Sequence, residues 1–262
     1  MKKIILSAKD VSKSFAHEGI QQHVLEHVDL DIYEEDFTVI MGASGSGKST
    51  LLYALSGMDR ATGGSVLYKE KDIVKMKEKE LARLRSREFG VVFQQMHLVS
   101  NLTLFENVAV PGYLIKEKSA VEVKERAKKL LEDVNLEGVM NHLPSQVSGG
   151  EQQRAAVARA MINQPAILFA DEPTGALNRG NSKDVLDRLS VLRDQGQSIV
   201  MVTHDMKAAL RADRLLYLED GRIIGELNLT PYKGREASES YDNKEEKRRE
   251  TEVNAWLTSL EW

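Results

Sequence analysis

Residues Gly42, Ala43, Ser44, Gly45, Ser46, Gly47, Lys48 and Ser49 fit the spacing G-x-x-x-x-G-K-[ST]. Glycines at this spacing let consecutive backbone N–H groups converge on phosphate oxygens, and the N-terminus of the helix that follows adds its partial positive charge. Lys48 then reaches the β- and γ-phosphates, and the Ser49 hydroxyl suits Mg²⁺, a cation that keeps several waters and takes few protein ligands. A flexible Gly/Ser linker is the bland alternative. The flanks argue against it, because an apolar β-branched run at 37–41 precedes the loop and helically spaced Leu51, Leu52, Ala54 and Leu55 follow it. A second candidate is the adjacent pair Asp171 and Glu172, which ends the apolar run 167–170. Two carboxylates are a poor choice for packing there, since burying unpaired charge is costly. Asp171 would hold Mg²⁺, mainly through water, and Glu172 would orient and deprotonate an attacking water. A third is Ser148, Gly149 and Gly150, with Ser148 placed as a helix cap and two glycines that let a phosphate approach a second helix N-terminus.

These groups need elements to hold them. Val28, Leu30 and Ile32 alternate with Asp29 and Asp31 in the pattern of a half-buried strand, so the chain begins in antiparallel β structure. Runs at 66–68, 89–93, 167–170, 198–203, 215–218 and 222–225 read as further strands. Between them, Leu81 and Leu84 share one helical face, and Val123, Ala127, Leu130, Leu131 and Val134 form one stripe opposite Lys and Glu. Strands alternating with helices predict an α/β fold with a largely parallel sheet, an antiparallel β subdomain and an inserted helical subdomain.

Composition narrows the chemistry. With no Cys in 262 residues, disulfides, a thiolate nucleophile, thiolate zinc and protein-ligated iron–sulfur clusters are excluded. The net charge of -4, from 36 Lys+Arg and 40 Asp+Glu, supplies no global field for nucleic acid or anionic lipid. No apolar run approaches the roughly 20 residues that span a bilayer, so a membrane role is expected to run through a partner. Ser7, Lys9 and Asp10 interrupt the first apolar run after three residues, too early for a signal-peptide core.

In order along the chain, the phosphate loop, Gln94 in Phe93-Gln94-Gln95, Ser148-Gly149-Gly150, Asp171-Glu172, the loop from Gly175 to Asn178, and His204 between Thr203 and Asp205 resemble the ATP-binding cassette (ABC) family. The resemblance covers about residues 4–227 and implies a P-loop NTPase core, a nucleotide-binding domain at 1–227 with a helical insert at about 98–160, and ATP and Mg²⁺ as its ligands. It implies ATP contacts at Phe15, at Gly42 through Ser49 and Thr50, and at Ser148, Gly149, Gly150 and Glu151. It implies Mg²⁺ contacts at Ser49, Gln94 and Asp171, and catalytic roles for Lys48, Gln94, Glu172 and His204. Phe15 stands where the family stacks an aromatic, normally Tyr, on adenine; the alternative is a core aromatic at a strand end. In this family the signature sequence of one subunit caps the γ-phosphate held by the other, so a head-to-tail dimer is implied.

Two motifs depart from the commonest pattern: Val147-Ser-Gly-Gly-Glu151 replaces Leu-Ser-Gly-Gly-Gln, and Asn178 stands where Asp is usual. Within the family, the stretches 93–111 and 170–177 resemble the branch of macrolide and antimicrobial-peptide efflux, lipoprotein-release and cell-division ATPases. That implies a cassette on the cytoplasmic face of a bacterial membrane, docked through the region around 101–111 to an integral permease subunit. The competing class is a non-transport cassette acting on DNA or in translation, disfavoured by the single cassette, the absence of Cys and the lack of a heptad array. Beyond residue 228 a charged linker leads to an amphipathic helix bearing Val253, Trp256, Leu257 and Leu260. Its stripe could dock on a second subunit, on the membrane partner or back on its own domain, or bind a membrane; docking on a second subunit ranks first, because the mixed charges of 244–252 lack the basic excess that lipid favours.

Overall fold

A computed structural model describes residues 2–17, 20–232 and 239–260. The chain forms two compact units, Met1–Met76 with Leu189–Trp262, and Lys77–Arg188.

The first unit opens with a long antiparallel pair, β1 (Ile4–His17) and β2 (Ile20–Tyr33). Val28, Leu30 and Ile32 are buried while Asp29 is exposed, as period-2 alternation requires. β3 (Phe37–Met41) is buried at all five positions and leads through the phosphate loop into α1 (Lys48–Leu55). β4 (Gly63–Tyr68) and β5 (Lys71–Asp72) complete an antiparallel sheet in the order β2-β1-β4-β5.

The second unit begins with α2 (Glu78–Glu88), whose last residue runs directly into β6 (Phe89–Val92). Three helices follow, α3 (Leu104–Ile115), α4 (Ala120–Asp133) and α5 (Gly149–Met161). Val123, Ala127, Leu130, Leu131 and Val134 are buried, so the stripe legible in the sequence is the packed face of α4. β7 (Ile167–Asp171) pairs in parallel with β6, and α6 (Arg179–Asp194) carries the chain back to the first unit.

There β8 (Ser198–Val202), the short α7 (Met206–Ala209), β9 (Arg214–Glu219) and β10 (Arg222–Asn228) follow. β3 lies between β8 and β9 and is parallel to both, and β10 pairs antiparallel with β9. A parallel strand flanked on both edges is covered on both faces, which is why 37–41, Thr38 included, shows no alternation of burial.

α8 (Glu239–Ser259) corrects one expectation. Its stripe does not await a second subunit: Val253 and Leu257 are fully buried within this unit, and Trp256 and Leu260 lie against Gly225. The reason is a buried cation that periodicity does not show. Arg249, one turn before Val253, donates to the carbonyls of Leu210, Thr230 and Ala212, and its guanidinium lies 5.4 Å from the centre of the Tyr232 ring. The charge-dense stretch begins at Lys233, and its positions 233–238 lie outside the described residues.

Candidate functional site

In the first unit, the phosphate loop leaves β3 at Gly42. A Cβ there would lie 2.2 Å from the Leu218 carbonyl oxygen, so only glycine fits. Gly45, at φ 84°, has open space around its Cα and forms the outer rim. Gly47, at φ 101°, precedes α1 without a side-chain cap, and the first turn of α1 holds no carboxylate. The positive helix end is therefore left for an outside anion. Lys48 is buried and folds over the loop, its ammonium donating to the carbonyls of Gly42 at 2.9 Å and Ala43 at 2.7 Å. The Ser46 hydroxyl is buried beside Gly42 with no hydrogen-bond partner among the described residues. Ala43 and Ser44 are exposed, and Ser49 and Thr50 are half-buried.

Phe15 is not a core aromatic: 44% of it is exposed. His204 is exposed as well, beyond the end of β8. The chain around it is fixed by Thr203, whose hydroxyl accepts from the Asp205 N–H at 2.9 Å, and by Asp205, which caps α7 through the Lys207 N–H.

In the second unit, Asp171 is the buried last residue of β7. Glu172 follows in the left-handed region at φ 42°, a conformation rare for a residue with a Cβ and concentrated at functional sites. The turn closes with the Gly175 N–H donating to the Glu172 carbonyl at 3.0 Å. A Cβ on Gly175 would meet Gln94 Nε2 at 2.7 Å and Glu172 Oε2 at 3.3 Å, so an amide and a carboxylate flank this glycine side by side. Gln94 and Gln95 form the exposed tip of a loop that α5 holds from below. Gln153 donates to the Phe93 carbonyl at 3.0 Å, and Arg159 donates to the carbonyls of Met96 at 2.8 Å and His97 at 2.6 Å. Burial pulls the Arg159 pKa below its ordinary value.

Ser148 caps α5, accepting from the Glu151 N–H at 3.3 Å while its own N–H and hydroxyl donate to Glu151 Oε2 at 2.8 and 2.7 Å. These hydrogen bonds hold the Glu151 carboxyl below the usual range. Glu151, placed among ATP contacts by resemblance, thus shapes the helix start from within its own chain. Ser148 and Gly149 are exposed, whereas Gly150 is buried and a Cβ there would lie 2.3 Å from Asn181 Cγ. Asn178 accepts from the Asn181 N–H at 3.0 Å and starts α6. Asn181 carries no motif by which spacing alone would find it.

Among the described residues no group of three or more His, Asp or Glu is placed to hold a metal. The donors named for Mg²⁺, Ser49, Gln94 and Asp171, are a hydroxyl, an amide and a carboxylate. Each by itself offers a hard oxygen donor of the kind that Mg²⁺ takes.

Residues 25–175 match the family described as ABC transporter. The macrolide export ATP-binding/permease protein MacB of Pasteurella multocida is 42% identical over 231 residues, which cover 88% of this chain and 35% of that protein. The chain therefore spans about a third of the length of that curated relative. Among solved structures, the dimeric form of MJ0796, a bacterial ABC transporter cassette, is 37% identical with a TM-score of 0.81, over 87% of this chain and all of that one. A dimeric post-hydrolysis state of the same ATP-binding cassette, bound to ADP and Pi, has a TM-score of 0.80 at the same identity and coverage. By profile, by identity and by fold, this chain belongs to the ABC transporter family, as one of its ATPase cassettes.

Proposed function

We propose that the cassette hydrolyses ATP in a head-to-tail dimer and uses the cycle to drive an integral membrane permease from the cytoplasmic face. The observation that carries the chemistry is the placement of Gln94 and Glu172 on either side of Gly175. In this reading Phe15 stacks on the base, and the loop from Gly42 to Thr50 cradles the phosphates with Lys48 neutralising the β- and γ-oxygens. Mg²⁺, held by Ser49, Gln94 and Asp171, supplies charge neutralisation at the phosphates when bound. Glu172 accepts the proton of the attacking water while Gln94 orients that water. His204 contacts the γ-phosphate, and Ser148, Gly149 and Gly150 of a second copy cover it. The dimeric cassettes among the relatives support the assembly.

The permease reading is supported by MacB, which is named as an export ATP-binding/permease protein, and by a groove of about 530 Å³ in the second unit. Arg83, Arg87 and Arg159 line it together with Phe89, Pro111 and Leu114, chemistry suited to a short amphipathic segment with acidic residues. No described helix is long and apolar enough to cross a membrane. The cargo is proposed to be a peptide, drug or lipid-linked molecule, handled by the partner.

Glu172→Gln tests the catalytic assignment. Removing the base while keeping the shape should lower phosphate release by about 10²-fold or more and leave ATP binding intact. Hydrolysis at the wild-type rate would show that Glu172 is not the base.

A further inference from the structure

We propose that Lys13 is a positioning residue for the base-stacking platform: its ammonium polarises the Phe15 ring and ties it to the end of the phosphate-loop helix. The proposal rests on the reading of Phe15 as the ring that stacks on the base.

A lysine in a strand ordinarily turns to water, because an ammonium is costly to bury. Lys13 is only 7% exposed. It sits where the ladder between β1 and β2 slips on both sides, between Val11 and Lys13 and again between Lys13 and Ser14. Such irregularities re-aim side chains. The ammonium donates to Asp59 Oδ1 at 2.6 Å and to the Arg60 carbonyl at 2.7 Å, and it lies 4.8 Å from the centre of the Phe15 ring. One face of the ring meets a fixed cation while much of the rest is open to solvent.

This placement acts on the ring and on its distance from the phosphates. A cation on one face of an aromatic ring draws electron density from the other, so the open face is better matched to an electron-rich purine. Asp59 and Arg60 also belong to the turn that leaves α1, where the N–H groups of Met58 and Asp59 donate to the Tyr53 carbonyl at 2.9 and 3.2 Å. The same ammonium thus joins the strand bearing the ring to the helix whose opposite end is the phosphate loop. It sets the spacing between base and phosphates from within one unit.

A residue that merely staples β1 to α1 behaves differently from one that tunes the ring, and two ligands separate them. The full-length chain is titrated calorimetrically with ATP and with inorganic tripolyphosphate, each with Mg²⁺, for wild type, Lys13→Met, Asp59→Asn, Phe15→Ala and the Lys13→Met/Phe15→Ala double variant. Lys13→Met should weaken ATP binding about 3- to 10-fold, the scale of a partly desolvated cation–π contact, and leave tripolyphosphate within about twofold of wild type. Asp59→Asn, which keeps the lysine and loosens its anchor, should shift ATP in the same direction and covers the case in which Lys13→Met does not fold. In the Phe15→Ala background, Lys13→Met should add nothing. Equal losses for ATP and tripolyphosphate overturn the proposal, as does an additional loss in the Phe15→Ala background. Unchanged ATP affinity in both Lys13→Met and Asp59→Asn while Phe15→Ala weakens it overturns the role of Lys13 alone. Phe15→Ala with unchanged ATP affinity overturns the stacking reading itself.

Discussion

Two adjacent glycines at the start of α5 do different work. Gly149 is exposed, and a Cβ there would meet only Met96 Cε at 3.8 Å and Leu177 Cδ2 at 3.9 Å, ordinary contacts. Gly150 is buried against Asn181, with a would-be Cβ inside the carboxamide at 2.3 Å from Cγ. Gly150→Ala should therefore destabilise the chain by about 1–3 kcal/mol through overpacking, and Asn181→Ala in the same chain should recover most of the loss. Chemical denaturation of the single and double variants checks this; a double variant no more stable than Gly150→Ala would place the strain elsewhere. In the sequence both glycines read alike, as backbone that a phosphate approaches. Lys48, Asp171 and Glu172 are legible because loop spacing and a strand ending in carboxylates leave few other reasons for those residue types. Asn181 and Lys13 are not, because each acts through a neighbour that only folding brings to it, thirty-one positions from Gly150 in one case and forty-six from Asp59 in the other.

At the scale of elements, three helices of the second unit share one starting device. Thr103 with Glu106, Ser119 with Glu122 and Ser148 with Glu151 each form a reciprocal capping box at the N-terminus of α3, α4 and α5. In each, hydrogen bonds from the capping Ser or Thr hold the glutamate below its ordinary value of 4.5. The direction sets the pH dependence: a depressed carboxylate contributes fully above its ordinary value, and the contribution disappears as pH falls through the lower folded one. We expect wild-type stability to fall more steeply, as pH drops below the ordinary glutamate value of 4.5, than that of Glu106→Gln/Glu122→Gln/Glu151→Gln, which keeps three acceptors that do not titrate. Guanidinium denaturation across that range reads the slopes, and parallel curves would remove the boxes from the acid response. Capping signals are local, so the start of α5 is legible from Ser148 in the sequence alone. The docking of α8 is not, because a stripe at 253–260 announces an apolar face without naming its counterpart, and the decisive contact is a buried arginine that looks like part of a solvated charge run.

At the scale of the whole molecule, the relevant question is what meets Ser148 and Gly149, which the cassette leaves exposed at the uncovered end of α5. The proposed head-to-tail dimer answers it with a nucleotide held by a second copy, and the relatives supply dimers on the same fold. In a Glu172→Gln background, ATP with Mg²⁺ should raise the light-scattering mass from 29.4 kDa towards twice that value. Gly149→Arg in that background separates the signature surface from other routes to association. Its Cβ has room in its own chain, so α5 keeps its cap and its packing, while a long cation now stands on the surface that the second copy must approach. The variant should remain at the mass of one chain at nucleotide concentrations that saturate its phosphate loop, with a melting temperature close to that of its parent. A dimer that forms as readily as in the parent would mean that the copies meet through another face, and the capping role of Ser148, Gly149 and Gly150 would fall with it.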